Sequence, residues 1–338
     1  MTRIIAVEVE PGSIVQSADV RAEEITPNFG YMFSSAVASC LPFGQVGADV
    51  DTNVLACYRP DTDVDITVIR PGAYASDSAS AVVNRLVSKL SISRRSSIDC
   101  VIYCHSSIDE DNSSVPVTRL CAELGLADPL SFSISQLHNC CVFAGLRMAQ
   151  SVLTSALRRR NVLLVAADKW AYPFFRSFGP LGSFGDGAGA IMIVADSVES
   201  GMDIMHLEFL QADSKLDVFG IEVGWDSKRF RTRVAQTLIK ALDAVPVHSK
   251  EVTCIVHPSR VLSMSRAILE EAGLAEVPIQ LGLTAPHGHL SSADPLAGLM
   301  SAWIDSGIPD GAVSLLWNFG VNGEIACMVF QRVQVPVQ

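Results

Sequence analysis

The chain has 338 residues, with 36 Asp and Glu against 25 Lys and Arg, for a formal net charge of −11 at neutral pH. Hydrophobic residues make up 49% and charged residues 18%, a mix that buries a large core and does not describe a disordered chain. The acidic balance disfavours general binding to nucleic acid or to an anionic membrane and leaves small molecules and proteins as partners.

In chain order, apolar residues at Ala79, Val82, Val83, Leu86, Val87 and Leu90 predict a helix over 76–90, with Ser76, Asp77 and Ser78 available as caps. Cys100–Cys104 reads as a buried strand. A helix over 115–124 stops at Gly125, and 131–135 alternates like a strand. Residues 142–157 are helical, 161–166 form a short buried strand, and 187–194 form another, entered through Gly185-Asp186-Gly187. The same grammar then repeats. A strand over 205–210 and a helix over 230–242 precede the strand Val252–Val256, which ends at His257. Helices over 261–272 and 295–304 follow, and two apolar runs at 312–317 and 325–330 flank a glycine-containing turn. Strands alternating with helices predict mostly parallel sheets covered by helices, as two related α/β halves, 1–200 and 201–338, in one body. Residues 20–75 give no legible pattern.

No apolar run reaches the roughly 18–20 residues that cross a bilayer. The start, Met1 to Val7, soon meets Glu8 and Glu10 without a signal-peptide core, so a cytoplasmic location is expected. Nine cysteines are too sparse for a disulfide scaffold and are expected as thiols. No metal site is expected either. Cys100 and Cys104 lie roughly 13 Å apart along one strand, too far to share a zinc ion.

Three segments could carry chemistry. Cys140-Cys141 lies between a predicted strand and a predicted helix, where a helix N-terminus favours thiolate and where α/β sheets present nucleophiles. The bland alternative is two small buried cysteines that pack. The loop Thr284 to Asp294 holds His287, Gly288, His289 and, five residues after His289, Asp294. A carboxylate on one imidazole nitrogen would leave the other free as a base. Equally, Asp294 before Pro295 is ordinary helix-start chemistry. His257 ends a strand, where sites sit in α/β folds, though a single histidine there can be structural. The run Ser183 to Ala190 lacks the Lys-Ser/Thr of a phosphate loop. Arg158-Arg159-Arg160 suits the end of a helix or the docking of an acidic carrier or a coenzyme A phosphate. Asn318 to Gly323 is either a hairpin turn or a source of oxyanion donors.

Phe184-Gly185-Asp186-Gly187-Ala188-Gly189-Ala190, with Val162 to Asp168, Val256-His257-Pro258 and Phe319-Gly320, resembles the thiolase superfamily in its ketoacyl-ACP synthase III branch over roughly residues 76–335. The resemblance implies a five-layered αβαβα sandwich of two related halves, a homodimer, and a reactive centre between the halves reached by a pantetheine tunnel. Condensing members carry Asn in a "GNTS"-like segment. Here that segment is Gly288-His289-Leu290-Ser291-Ser292, and with Asp294 it resembles the synthase-like acyltransferases of antibiotic pathways, of the cervimycin type.

That likeness implies acyl transfer from a coenzyme A or carrier-protein thioester to a small-molecule hydroxyl or amine in specialised metabolism, with no cofactor. Cys140 would be the nucleophile, His289 with Asp294 the base, and His257 a hydrogen bond to the thioester oxygen. Backbone N–H groups at Cys140, Gly320 and Val321 would form the oxyanion hole. His in place of Asn makes chemical sense, because only His can take a proton from an attacking hydroxyl. The register leaves the nucleophile open. The family's Leu seven residues after the nucleophile matches Leu146 and points back to Asn139. Cys140 needs one deletion and places Phe143 as in the family's CxGF, whereas Cys141 needs two. The alternatives are a decarboxylative condensing synthase and, if Asn139 holds the nucleophile position, a catalytically degenerate partner subunit.

Overall fold

The computed structural model describes residues 2–16, 65–68, 74–95, 97–107, 115–155, 160–170, 184–210, 228–246, 252–257, 262–281, 289–304, 308–320 and 323–335. Its strands are β1 (Thr2–Pro11), β2 (Ser13–Gln16), β3 (Asp65–Val68), β4 (Cys100–Cys104), β5 (Leu130–Ile134), β6 (Asn161–Asp168), β7 (Gly187–Ala195), β8 (Gly201–Leu210), β9 (Val252–His257), β10 (Ile279–Leu281), β11 (Val313–Phe319) and β12 (Ile325–Val333). Its helices are α1 (Ala75–Lys89), α2 (Ile92–Arg95), α3 (Pro116–Glu123), α4 (Cys141–Thr154), α5 (Lys228–Asp243), α6 (Leu262–Glu271) and α7 (Asp294–Ile304).

Among the described residues, ten strands run in the order β10-β9-β11-β12-β8-β1-β7-β6-β4-β5, and β2 pairs with β3 separately. The order carries a duplication. Numbered within each set, β1, β4, β5, β6, β7 and β8, β9, β10, β11, β12 both read 3-2-4-5-1, and the fifth strand runs antiparallel to the fourth in each. Among the described residues, strand pairing joins the two sets where Arg3 and Ile4 pair with Asp203 and Met202, and the Arg3 guanidinium holds Asp203 there at 2.6 Å.

Strand alternation then builds the layers. On β6, Leu163 and Val165 face an outer core formed with Val82, Val83 and Leu86 of α1 and Leu120 of α3. Leu164 and Ala166 face inward, onto Leu146 of α4 and Leu296 of α7. From the other set, Leu316, Met328 and Phe330 reach the same central core. Leu315, Trp317 and Val329 turn outward onto Val234 and Leu238 of α5 and Ile268 of α6. Five layers result, α1/α3, sheet, α4/α7, sheet, α5/α6, as the resemblance implied.

Local rules set the boundaries. The Asp77 carboxylate accepts the Tyr74 N–H at 2.7 Å and starts α1. Pro116 opens α3, and Gly125 at φ 62° ends it. Strand β1 was not anticipated, and β8 starts four residues earlier than expected. The Arg158-Arg159-Arg160 docking option lies mostly outside the described residues, as do Ser183, Thr284 to Gly288, Pro258 and Val321.

Candidate functional site

The site forms where β5, α4, β11 and the start of α7 converge. After β5 the backbone turns tightly, with Gln136 at φ 67° and His138 at φ 45°. Residues His138–Cys140 form a single 3-10 turn that leads directly into α4. The side chain this elbow presents to His289 belongs to Asn139. Its Nδ2 lies 3.1 Å from His289 Nε2, 3.2 Å from Asn318 Oδ1 and 3.0 Å from the Phe319 carbonyl. The Phe319 N–H donates to Asn318 Oδ1 at 2.8 Å, which marks that atom as an acceptor. Two acceptor oxygens therefore hold the Asn139 amide with its NH2 toward the histidine.

The expected nucleophile is placed otherwise. Cys140 is fully buried in the central core, and its thiol bonds the carbonyls of Asn318 at 3.8 Å and Glu324 at 3.7 Å. Burial pushes the Cys140 thiol well above its ordinary range, and the Glu324 carboxylate adds to the rise. Cys141 bonds the His105 carbonyl at 3.5 Å, and burial raises its pKa to about 12. Neither sulfur is a thiolate at neutral pH, and neither is the group that meets His289. The helix N-terminus argument from sequence pointed to this turn, where the side chain beside His289 is that of Asn139.

His289 and Asp294 are brought together. Asp294 is completely buried, and its Oδ2 lies 3.6 Å from His289 Nε2. Its Oδ1 accepts the Leu290 N–H at 3.0 Å, and Asp294 sits inside the first turn of α7 after a 3-10 turn over Ser291–Ala293, so it is not a simple N-cap. The second imidazole nitrogen is not left open as the sequence implied, because His289 Nδ1 accepts the Ser291 N–H at 2.9 Å. A lone pair on Nδ1 places the proton of the neutral ring on Nε2, toward Asp294, while the Asn139 NH2, with its two protons on the Asn318 and Phe319 oxygens, touches that edge without a hydrogen bond.

His257 ends β9, beside Leu281 of β10 in register, which brings its backbone to the sheet end where Asn318 and Phe319 finish β11. At Gly320 the N–H donates to the Glu324 carbonyl at 2.8 Å, so this amide is already satisfied. A Cβ on Gly320 would run into the Glu324 carboxylate and lie 3.0 Å from the Leu137 carbonyl.

Sequence reasoning missed the hub behind the site. Asp168, fully buried at the end of β6, accepts the N–H groups of Ser106 at 2.6 Å, Ser107 at 2.7 Å and Ser292 at 2.9 Å, and the Ser107 hydroxyl at 3.0 Å. One carboxylate thus ties the loop after β4 to the loop that carries His289. The available signal was a lone Asp ending an apolar strand. Among the described residues no cluster of His, Cys, Asp and Glu could hold a metal ion, and no helix is long and apolar enough to cross a membrane.

No protein-family model matches the chain, and no curated protein matches it in sequence. Solved structures do match. The acyltransferase ChlB3 superposes with a TM-score of 0.74 at 18% identity, covering 98% of each chain. The 3-oxoacyl-(acyl carrier protein) synthase III FabH of Pseudomonas aeruginosa PAO1 gives 0.69 at 18% identity, over 100% of this chain and 99% of its own. The priming β-ketosynthase of the R1128 polyketide pathway gives 0.67 at 18% identity, over 99% and 97%. The fold is thiolase-like, in the form of the ketoacyl-ACP synthase III proteins. At this identity the likeness defines the architecture, and the chemistry has to be argued from the side chains.

Proposed function

We propose that this protein binds an acyl thioester between its two halves without attaching the acyl group to a cysteine, as the non-acylating partner subunit of a condensing enzyme. The observation that carries this reading is the Asn139 amide 3.1 Å from His289 Nε2. An amide nitrogen gives its lone pair to its own carbonyl and is no nucleophile, so no acyl-enzyme can form there. The Cys140 thiol is sealed against two carbonyls and held protonated, and the Gly320 N–H is already bonded. The donor is an acyl-coenzyme A or acyl-carrier protein. An active condensing subunit, as the second thiolase-fold chain, supplies the chemistry. A cytoplasmic place in specialised metabolism belongs to the same proposal.

The test is intact-protein mass spectrometry after incubation with acetyl-, malonyl- and longer acyl thioesters. No adduct is expected. An adduct that disappears in Cys140→Ala would overturn the reading in favour of a Cys140-His289-Asp294 acyltransferase.

The buried His289–Asp294 pair favours a second reading, transfer in one step from bound thioester to a hydroxyl or amine, with His289 as base. This reading requires His289 Nδ1 to release the Ser291 N–H, or Nε2 to lose its proton to Asp294. Free thiol released only in the presence of an acceptor, with no adduct and with loss in His289→Ala, would establish it.

A further inference from the structure

His138 immediately precedes Asn139, and its φ of 45° turns the chain at the elbow. Histidine is among the few non-glycine residues that enter this region at all, and such conformations gather at functional sites. The ring lies nearly parallel to Trp170, 6.4 Å away at 8°, and to Phe184, 6.5 Å away at 19°. Trp170 and Phe184 stack on each other at 4.7 Å. The edge of Phe184 meets His289 at 5.2 Å and 90°. One aromatic cluster therefore fixes both imidazoles.

The polar atoms of His138 are unusual for a core histidine. Nδ1 is sealed from solvent and has no hydrogen-bond partner. Among the described residues nothing bonds Nε2 either, and that atom is not sealed; the residue as a whole keeps partial exposure. The ring is neutral at physiological pH, because burial lowers its pKa to about 4 while the charge of Asp168 opposes the shift. A neutral imidazole carries one N–H. A sealed, unpaired donor is less tolerable than a sealed lone pair, so the proton belongs on Nε2, the open side.

We propose that His138 is a substrate-binding residue whose Nε2–H donates to the thioester carbonyl oxygen of the bound acyl group. The inference rests on the reading that an acyl thioester binds at this elbow. The donor projects from the residue next to the one that would bear an acyl group in an acylating enzyme. A side-chain donor matters more here because the Gly320 amide is already taken.

The probe is a ketone analogue of acetyl-coenzyme A in which a methylene replaces the sulfur. Its affinity is measured by calorimetry for the full chain, for His138→Phe, which keeps a flat ring without a donor, and for His138→Gln, which keeps a donor. His138→Phe should bind about tenfold more weakly, the loss of one hydrogen bond, with His138→Gln within about threefold of the parent. In the parent chain labelled with 15N-histidine, the Nε2 signal lost in His138→Gln or His138→Phe, whichever folds, should shift on binding, so the readout is taken on the parent chain. Equal affinity for His138→Phe, or an unmoved Nε2 signal in a chain that binds the analogue, overturns the role of His138 alone. A parent chain that does not bind the analogue overturns both this role and the thioester-binding reading.

Discussion

Replacing Asn139 by cysteine puts a thiol at the one elbow position that meets His289. The amide gives up its bonds to the Phe319 carbonyl and Asn318 Oδ1, at 3.0 and 3.2 Å. Two neutral hydrogen bonds at about 1 kcal/mol each put the stability loss near 2 kcal/mol. Asn318 Oδ1 keeps the Phe319 N–H, which trims that figure, so Asn139→Cys should fold. The new thiol gains what Cys140 lacks. Burial at this position opposes ionisation, and the His289 Nε2–H beside the new sulfur favours the thiolate, the support that Cys140 lacks. We therefore expect Asn139→Cys to gain the mass of one acyl group from an acyl thioester, while the parent chain and Cys140→Ala gain none. The variant Asn139→Cys/His289→Ala should acylate at least about tenfold more slowly, since the imidazole no longer supports the thiolate. The measurement is a time course of intact mass, with thermal melting to confirm folding. A folded Asn139→Cys that binds the ketone analogue yet never acylates would refute the placement of residue 139. Acylation of the parent at Cys140 would refute the reasoning at its root.

Three further outcomes follow from the same geometry. His138 has a folded pKa of about 4 against about 6.5 when unfolded, so between those values the unfolded chain binds more protons. Stability should then rise with pH through that window, be complete above it, and fall by up to about 3 kcal/mol toward pH 4, less whatever the partial exposure of the ring screens; urea titrations of His138→Phe should show a weaker acid dependence, and an unchanged one would contradict the assignment. Asp168→Asn keeps one acceptor oxygen but turns an NH2 toward a backbone N–H now held by the carboxylate, and charge-assisted bonds are the stronger kind; a loss of about 3 kcal/mol or more in denaturant unfolding is expected, and a loss below about 1 kcal/mol would rule out the hub. Gly145→Ala should gain up to about 1 kcal/mol in helix propensity, yet its Cβ would come within 2.7 Å of Leu164 Cδ1 and 3.0 Å of Cys104 Sγ; overpacking of about 1–3 kcal/mol wins, so the variant should melt lower, and in a Leu164→Ala background, itself destabilised, the same substitution should cost less.

Legibility divided along physical lines. Long amphipathic segments such as Ala75–Lys89 and all-buried strands such as Asn161–Asp168 announce themselves because periodicity is written in consecutive residues. Strand β1 escaped notice because its buried residues do not alternate simply. Its pairing with β7 slips between Ile4 and Ala6, and Glu8, buried against Lys89 of α1, interrupts the apolar run. The site was half legible. His289 with Asp294 could be read because both lie in one short loop. The choice among Asn139, Cys140 and Cys141 could not, because each residue along a tight 3-10 turn rotates the side chain by about 120°, and only contacts from β11, far along the chain, fix which one enters the site. The count back from Leu146 had pointed to Asn139, and the appeal of a thiol at a helix start pointed elsewhere.

The run Phe184 to Ala190 explains how a shared motif can coexist with an elbow that sets an amide beside His289. Each part of it has a structural task. Phe184 bridges His289 in the backbone, and the Gly185 N–H donates to the His289 carbonyl at 2.8 Å. Asp186 accepts the Trp170 N–H at 2.8 Å. A Cβ on Gly187 would sit 3.1 Å from Leu290, and one on Gly189 would sit 3.0 Å from Leu296, so small residues there let the His289 loop and α7 lie directly on β7. None of these tasks requires a thiol at the elbow. A chain that exchanges the nucleophile for an amide keeps every one of them, because the motif holds the loop in place whatever the loop then does. Such a motif reports where the site is, and the atoms facing His289 report what it can do. For this chain they are an amide, a carboxylate and a backbone N–H, with the sulfurs turned aside.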